Sequence, residues 1–283
     1  MPQAGSTGLR HYGASEFRIS FGFSASNLFT CMLNHLSKTN FLLINKPLDW
    51  TSHDVVAYIR NRIRKSGLSA TAVGRRPAQG GIIRNIKVGH AGTLDPFATG
   101  LLIVGVGREA TKRLDEFKKM PKTYVATLRL GAISDTYDRT GAIHDISAPP
   151  YYEKVARNEQ GRTERSNVEK IINQCKGKQP QIPPMHSAKK VGGKKLYELA
   201  RKGIEVERKP SEIEIFDIKI LEYSWPFLKI EVTCSAGTYI RTLAHDIGQK
   251  LGVGAYCDEL ARTGIGEYKL EEAIDPRNFE VSK

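Results

Sequence analysis

Apolar positions along the chain recur at two spacings, and the switches between them mark out its elements. Phe41-Leu42-Leu43-Ile44-Asn45 is an almost unbroken apolar run that Lys46-Pro47 stops, which predicts a short strand. Val55, Ile59 and Ile63 then fall four apart behind Thr51 or Ser52, either of which can cap a helix. That stripe leaves Arg60, Arg62, Arg64 and Lys65 largely outside it, on an exposed basic face. Leu101 to Val106 reads as a buried strand and Thr111 to Phe117 as a short helix. Tyr124, Ala126, Leu128 and Leu130 share one face of the next strand by period two. Further on, Ser166-Asn167-Val168-Glu169 has the form of a capping box opening a helix through Cys175, and a helix over Lys195 to Lys202 closes at Gly203. Two long strands, Ile213 to Tyr223 and Phe227 to Ser235, precede a helix whose Ile240, Leu243, Ile247 and Leu251 stack at spacings of three and four.

Other stretches have no such period. Residues 1–37 are rich in Ser, Gly and Phe, and their strongly charged groups are only Arg10, Glu16 and Arg18. This composition faintly resembles an organellar transit peptide, but it lacks the arginines and the amphipathic period, and a true start at Met32 would account for it equally well. Disorder is expected there. The compact unit is expected over residues 38–283, interrupted by a flexible basic insertion at about 66–86 that contains Gly74-Arg75-Arg76-Pro77 and Gly80-Gly81. Gln181-Ile182-Pro183-Pro184 is too proline-rich for a central strand.

At 283 residues the chain can bury a substantial core, and its formal charge of +13 points to a polyanionic partner. No apolar run approaches transmembrane length and no amphipathic basic helix dominates, so nucleic acid is favoured over a membrane surface. The four cysteines, Cys31, Cys175, Cys234 and Cys257, lie far apart without metal-ligand or redox spacing. This fits a reducing, cytoplasmic setting, or an organellar one if the extension is a targeting peptide. Cys234 alternates with Leu228, Ile230 and Val232, a buried strand position. No metal or small-molecule cofactor is expected, and the chain is expected to be monomeric.

The candidate chemistry centres on Gly89-His90-Ala91-Gly92-Thr93-Leu94-Asp95-Pro96-Phe97-Ala98-Thr99-Gly100. Three glycines, a proline and two threonines around one carboxylate suit an irregular loop. Pro96 biases Asp95 toward an extended backbone, while Gly92 and Gly100 permit close approach or positive φ, so such a loop can be rigid. By residue chemistry alone, Asp95 could simply cap the following segment. Arg241 sits beside the apolar stripe in the first turn of its helix, where a cation opposes the helix dipole and wants a carboxylate. Gly105-Val106-Gly107-Arg108-Glu109-Ala110 matches a dinucleotide fingerprint, but the strand after it ends without the acidic ribose-binding residue and no repeated βαβ units follow.

The stretch from Gly89 to Gly100 resembles the catalytic-aspartate motif of the TruB family of pseudouridine synthases. Similar matches run in order from about residue 41 to 277. They include Lys46-Pro47 with Thr51-Ser52-His53-Asp54, Lys122-Thr123-Tyr124, Asp135-Thr136-x-Asp138, Pro183-Pro184-Met185-His186-Ser187-Ala188, Gly237-Thr238-Tyr239-Ile240-Arg241 and Leu260-Ala261-Arg262. Two departures stand out: His186 replaces a usual aromatic, and Ala261 a usual arginine. The resemblance implies an α+β fold around a mixed, mainly antiparallel sheet and isomerisation of uridine 55 in the T loop of tRNA. It implies Asp95, Tyr124 and Arg241 as catalytic residues, with Arg241 pairing the aspartate and keeping it ionised. His90 would fill the gap left by the everted base, Leu260 would pack under the uracil, and Lys46 and Arg262 would contact RNA, although a solvated loop lysine is an equal reading for Lys46. The Asp138 turn is expected to order a loop more than to act chemically. Only about twenty residues follow Thr263, too few for the PUA domain many relatives append, so RNA is expected to be held by the catalytic domain alone. The alternatives are a tRNA-binding chaperone without catalysis and a guide-RNA-dependent synthase subunit.

Overall fold

The apolar run expected near Leu101 is the spine of the molecule, because both of its faces are covered. A computed structural model of the chain describes residues 40–66, 86–146, 163–187, 189–200 and 202–280. The expected extension at 1–37 and nearly all of the expected insertion at 66–86 lie outside these residues. Strand β3 (Thr99–Val106) is buried from Gly100 to Val106. Helix α1 (Ser52–Lys65) packs Val55, Val56, Ile59 and Ile63 against Leu102 and Val104, while α2 (Arg108–Lys119) packs Ala110, Leu114 and Phe117 against Leu101 and Ile103. Each Val, Leu, Ile or Phe side chain so removed from water contributes about 1.5–3 kcal/mol. A strand covered on both sides has no reason to alternate, which is why its sequence does not.

Strand β1 (Phe41–Lys46) and β2 (Val88–Ala91) pair antiparallel with β3. The main sheet continues through β12 (Ala255–Ile265), β4 (Lys122–Leu130), β11 (Phe227–Cys234), β10 (Ser211–Ser224) and β7 (Gly177–Gln181). Its contact between β12 and β3 is parallel and the other pairings are antiparallel, so the expected mixed, mainly antiparallel sheet is what forms. Strand β4 buries every second residue, including Tyr124, Ala126, Leu128 and Leu130. That face, with β10 to β12, is covered by α3 (Arg165–Gln174) and α5 (Ile240–Lys250) around one large core. Pro180 lies on β7 at the sheet edge, where a missing N–H does no harm. The small strands β5 (Ala132–Ser134) and β6 (Ile143–Asp145), β8 (Lys190–Val191) and β9 (Lys194–Lys195) form separate ladders, and β13 (Tyr268–Lys269) extends β12.

Thr51 caps α1 through a reciprocal box: its Oγ1 accepts from Asp54 N at 3.0 Å and Thr51 N donates to Asp54 Oδ2 at 2.8 Å. Several expectations need correction. Helix α3 begins at Arg165 behind Glu164 and no side chain caps it, so Ser166 is inside the helix and the capping box does not form. The i,i+4 pair Arg165–Glu169, 2.8 Å apart, takes up the Glu169 carboxylate instead. The helix expected from Lys195 is shorter, α4 (Leu196–Ala200), because Lys194 and Lys195 are committed to β9. Finally, Gly89-His90 is not part of the aspartate loop: β2 pairs His90 with Val104. Among the described residues no helix is long and apolar enough to cross a membrane.

Candidate active site

Asp95 lies where three parts of the fold converge on one loop. From one side, Ser52 Oγ accepts from Leu94 N at 2.9 Å and donates to Leu94 O at 3.2 Å, and Asp49 N donates to Pro96 O at 2.9 Å. Lys46 reaches in from the same side. It is fully buried, and its ammonium donates to Pro47 O at 2.8 Å, Pro96 O at 3.2 Å and Trp50 O. Burial lowers its pKa to about 8, with Asp49 and Asp95 opposing the shift. From the other side, Arg262 donates from Nε to Leu101 O at 2.7 Å and from Nη2 to Gly92 O at 3.1 Å, and it is only 1% exposed. Lys46 and Arg262 are thus buried cations whose donors are taken up by backbone carbonyls, Pro96 O and Gly92 O of the loop among them. Gly100, at φ +105°, lets β3 approach β12 closely, since a Cβ there would come within 2.3 Å of Arg262 O.

The pinned loop presents Asp95 to Arg241, whose Nε is 2.9 Å from Asp95 Oδ2. Capping thus gives way to ion pairing as the use of this carboxylate. The guanidinium is 4% exposed; Nε makes an ion-pair contact with Asp95 and, among the described residues, no hydrogen bond, while Nη1 meets Asp138 Oδ2 at 2.9 Å and Thr136 O at 3.1 Å, and Nη2 meets His186 O at 2.9 Å. Asp138, also buried, accepts from Thr136 Oγ1 at 2.8 Å and Thr140 N at 2.9 Å, so its turn is ordered as expected and is also tied to the site. One cation is therefore shared by two carboxylates, leaving the trio with a net negative charge. Burial pushes the Asp95 carboxyl above its ordinary pKa, Arg241 pulls it back and Asp138 adds to the rise. Arg241 alone does not set the aspartate's charge state. A further tie fixes the segment leading to α5: the buried Gln181 amide donates to Tyr239 O at 3.0 Å and accepts from Tyr239 N at 2.8 Å.

Asp95, Arg241, Tyr124, Leu260 and Arg262 line one cavity of about 420 Å³, so the structure brings most of the expected residues together. Tyr124 is 9% exposed and burial raises its phenol pKa, with Arg262 opposing the rise, which keeps the hydroxyl protonated at neutral pH. Leu260 is 7% exposed on the same face of the sheet. His90 does not line this cavity. It faces a larger groove of about 1490 Å³, walled by Arg60, Arg64, Lys87, Arg108, Lys112 and Lys118, which shares Gly92, Thr93 and Lys118 with the smaller cavity. Burial, reinforced by Arg262 and Lys118, lowers the His90 pKa and favours a neutral ring. Two of the groove's lysines form exposed pairs, Lys112 with Glu109 at 3.0 Å and Lys118 with Asp115 at 2.7 Å. Such pairs are worth little in water and are readily exchanged for phosphate.

Asp138, Gln181 and Ser52 escaped the sequence reading as site residues. An acidic turn signal marked Asp138, but its partner lies on a helix far along the chain; nothing local marks Gln181. Cys234 is buried on β11, as its alternation indicated.

Residues 81–240 match the family model described as TruB family pseudouridylate synthase (N terminal domain), and residues 241–280 match tRNA pseudouridylate synthase B C-terminal domain. The chain is 45% identical over 238 residues to tRNA pseudouridine synthase B of Bacteroides fragilis, covering 84% of this chain and 91% of that protein. It is 43% identical over 251 residues to the protein of the same name from Bacteroides thetaiotaomicron, covering 87% and 93%. Among solved structures, a chain described under "Crystal Structure of a Cbf5-Nop10-Gar1 Complex" is similar with a TM-score of 0.57 and 26% identity. That match covers 86% of this chain and 53% of the other, about half its length.

Proposed function

The chain belongs to the TruB family of pseudouridylate synthases, and from that premise we propose that it converts uridine 55 in the T loop of tRNA to pseudouridine. The observation that carries the reading is the Asp95–Arg241 pair, 2.9 Å apart, at a cavity also lined by Tyr124 and Leu260.

The reaction breaks the C1′–N1 bond, turns the uracil and bonds C5 to C1′, with no redox change. Asp95 begins it, by attack on C1′ or by removal of the C2′ proton, and both routes need an ionised carboxylate. Arg241 orients that carboxylate. Because Asp138 takes up part of the same guanidinium, the trio of Asp95, Asp138 and Arg241 carries one more negative than positive formal charge. Tyr124 and Leu260 offer the everted base an aromatic and an aliphatic surface, which offsets the few kcal/mol lost on leaving the RNA stack. A phenol whose pKa burial raises is a poor base, so Tyr124 acts by contact. His90, in the groove beside the cavity, occupies the space the base vacates. The T arm lies along the cationic groove, where arginines and lysines of α1 and α2 meet its phosphates. Lys46 and Arg262 act through the loop they hold. The chain works as a monomer without a cofactor.

The test is to incubate the purified protein with unmodified tRNA and map pseudouridine by position. Conversion confined to uridine 55 is expected. Binding of T-arm RNA without any pseudouridine would instead make the protein an RNA-binding chaperone.

A further inference from the structure

Building on the reading that the cavity takes an everted uridine, we propose that Ser187 contacts the substrate. Its hydroxyl hydrogen-bonds a uracil carbonyl and keeps a carbonyl partner while the base turns. Ser187 is 4% exposed and lines the cavity that holds Asp95 and Arg241. Its Oγ is buried and has no hydrogen-bond partner among the described residues. Thr163 and Thr242 also carry unpartnered buried hydroxyls, but neither lines the cavity. The backbone that carries Ser187 is fixed on both sides. His186 O accepts from Arg241 Nη2 at 2.9 Å, and Ser187 O accepts from Tyr197 N at 3.1 Å. The guanidinium that orients Asp95 thus also sets where this hydroxyl stands.

An unpaired hydroxyl held in a protein interior forfeits its bonds to water, which is recovered when a ligand brings a partner. The uracil brings one. Packed between Tyr124 and Leu260 it presents an edge of O2, N3–H and O4, all stripped of their partners in the stack. When the C1′–N1 bond breaks, its electron pair stays with the base, and the resulting anion spreads its charge onto O2 and O4. The base then turns about the axis through N3 and C6, which exchanges the positions of O2 and O4. C5 bonds to C1′ and loses its proton, and N1 gains one, so atoms and charge balance without a co-reactant. A donor fixed beside one carbonyl position therefore meets O2 before the turn and O4 after it, and its bond is strongest while the base is anionic.

The experiment compares wild type and Ser187→Ala in full-length protein, using a T-arm stem-loop with either uridine or 2-thiouridine at the target. Single-turnover rate, RNA affinity and thermal unfolding are measured. Losing a donor to a charged acceptor is expected to slow Ser187→Ala by about 10- to 100-fold. Affinity, set by phosphates, is expected to stay near wild type. Sulfur accepts hydrogen bonds poorly, so the rate ratio of uridine to 2-thiouridine should be larger for wild type than for Ser187→Ala. Because the free protein loses only an unpaired group, the variant's Tm should equal or exceed that of wild type. An unchanged rate overturns the contact. So does a slower enzyme with a lowered Tm and an unchanged thio ratio, which is what a merely structural serine would give. Wild type that forms no pseudouridine would overturn the functional reading itself.

Discussion

Replacing Asp138 by alanine removes the inner carboxylate of the shared pair and leaves Arg241 facing Asp95 alone. Both partners of the Arg241–Asp138 contact are 4% exposed, so solvent cannot take over the lost interaction. A buried ion pair broken from one side costs about 3–5 kcal/mol. In a protein of this size that is a fall in Tm of roughly 6–20 °C. Asp95 is different: its side chain is 35% exposed and burial already disfavours its charge, so its folded pKa is raised. A carboxyl with a raised folded pKa stabilises the fold below its unfolded pKa and loses that contribution as pH rises through the folded value. At neutral pH Asp95→Asn should therefore leave Tm unchanged or slightly higher. Thermal unfolding followed by circular dichroism at pH 7 measures both, and the double variant Asp138→Ala with Arg241→Met completes a cycle in which removing both charges should cost less than the single losses added. If Asp138→Ala unfolds within a degree or two of wild type, or if Asp95→Asn is the more damaging change, the assignment of Asp138 as the structural partner is wrong.

Two further outcomes follow from the electrostatics. Lys112→Glu, in the basic groove, should weaken tRNA binding and flatten the dependence of log K on log salt by about one unit per lost phosphate contact, while a fluorescence titration of wild type should show steep weakening with salt; an unchanged slope would remove the groove from the RNA path. Because Asp95 must be ionised and burial raises its pKa, the single-turnover rate should fall on acidification through a pKa above the ordinary aspartate value of about 3.9; an acid limb at or below that value would contradict the site's electrostatics.

The sequence exposed the elements whose burial is one-sided or complete. Strand β4 was legible because one face is core and the other is not, and α1 because Val55, Ile59 and Ile63 face β1 and β3. The aspartate loop was legible because glycine, proline and threonine around one acid fit little else. The burial of Lys46 and Arg262 was not legible because charged side chains are normally solvated, and nothing local reveals that backbone carbonyls will surround them. His90 was placed on the loop since glycines flank it, yet pairing with Val104 outweighs that local preference. Ser166 has the right spacing for a cap, but the helix already begins at Arg165 and Glu169 is paired with Arg165. The Asp138–Arg241 contact joins a turn to a helix more than a hundred residues away, a relation that no local pattern encodes.

The most direct measurement is pseudouridine formation by Asp95→Asn on T-arm RNA, with binding measured on the same preparation. Asparagine keeps the shape of the side chain and removes its negative charge. Binding close to wild type and no detectable pseudouridine at uridine 55 are expected. A variant that still isomerises the uridine would contradict it.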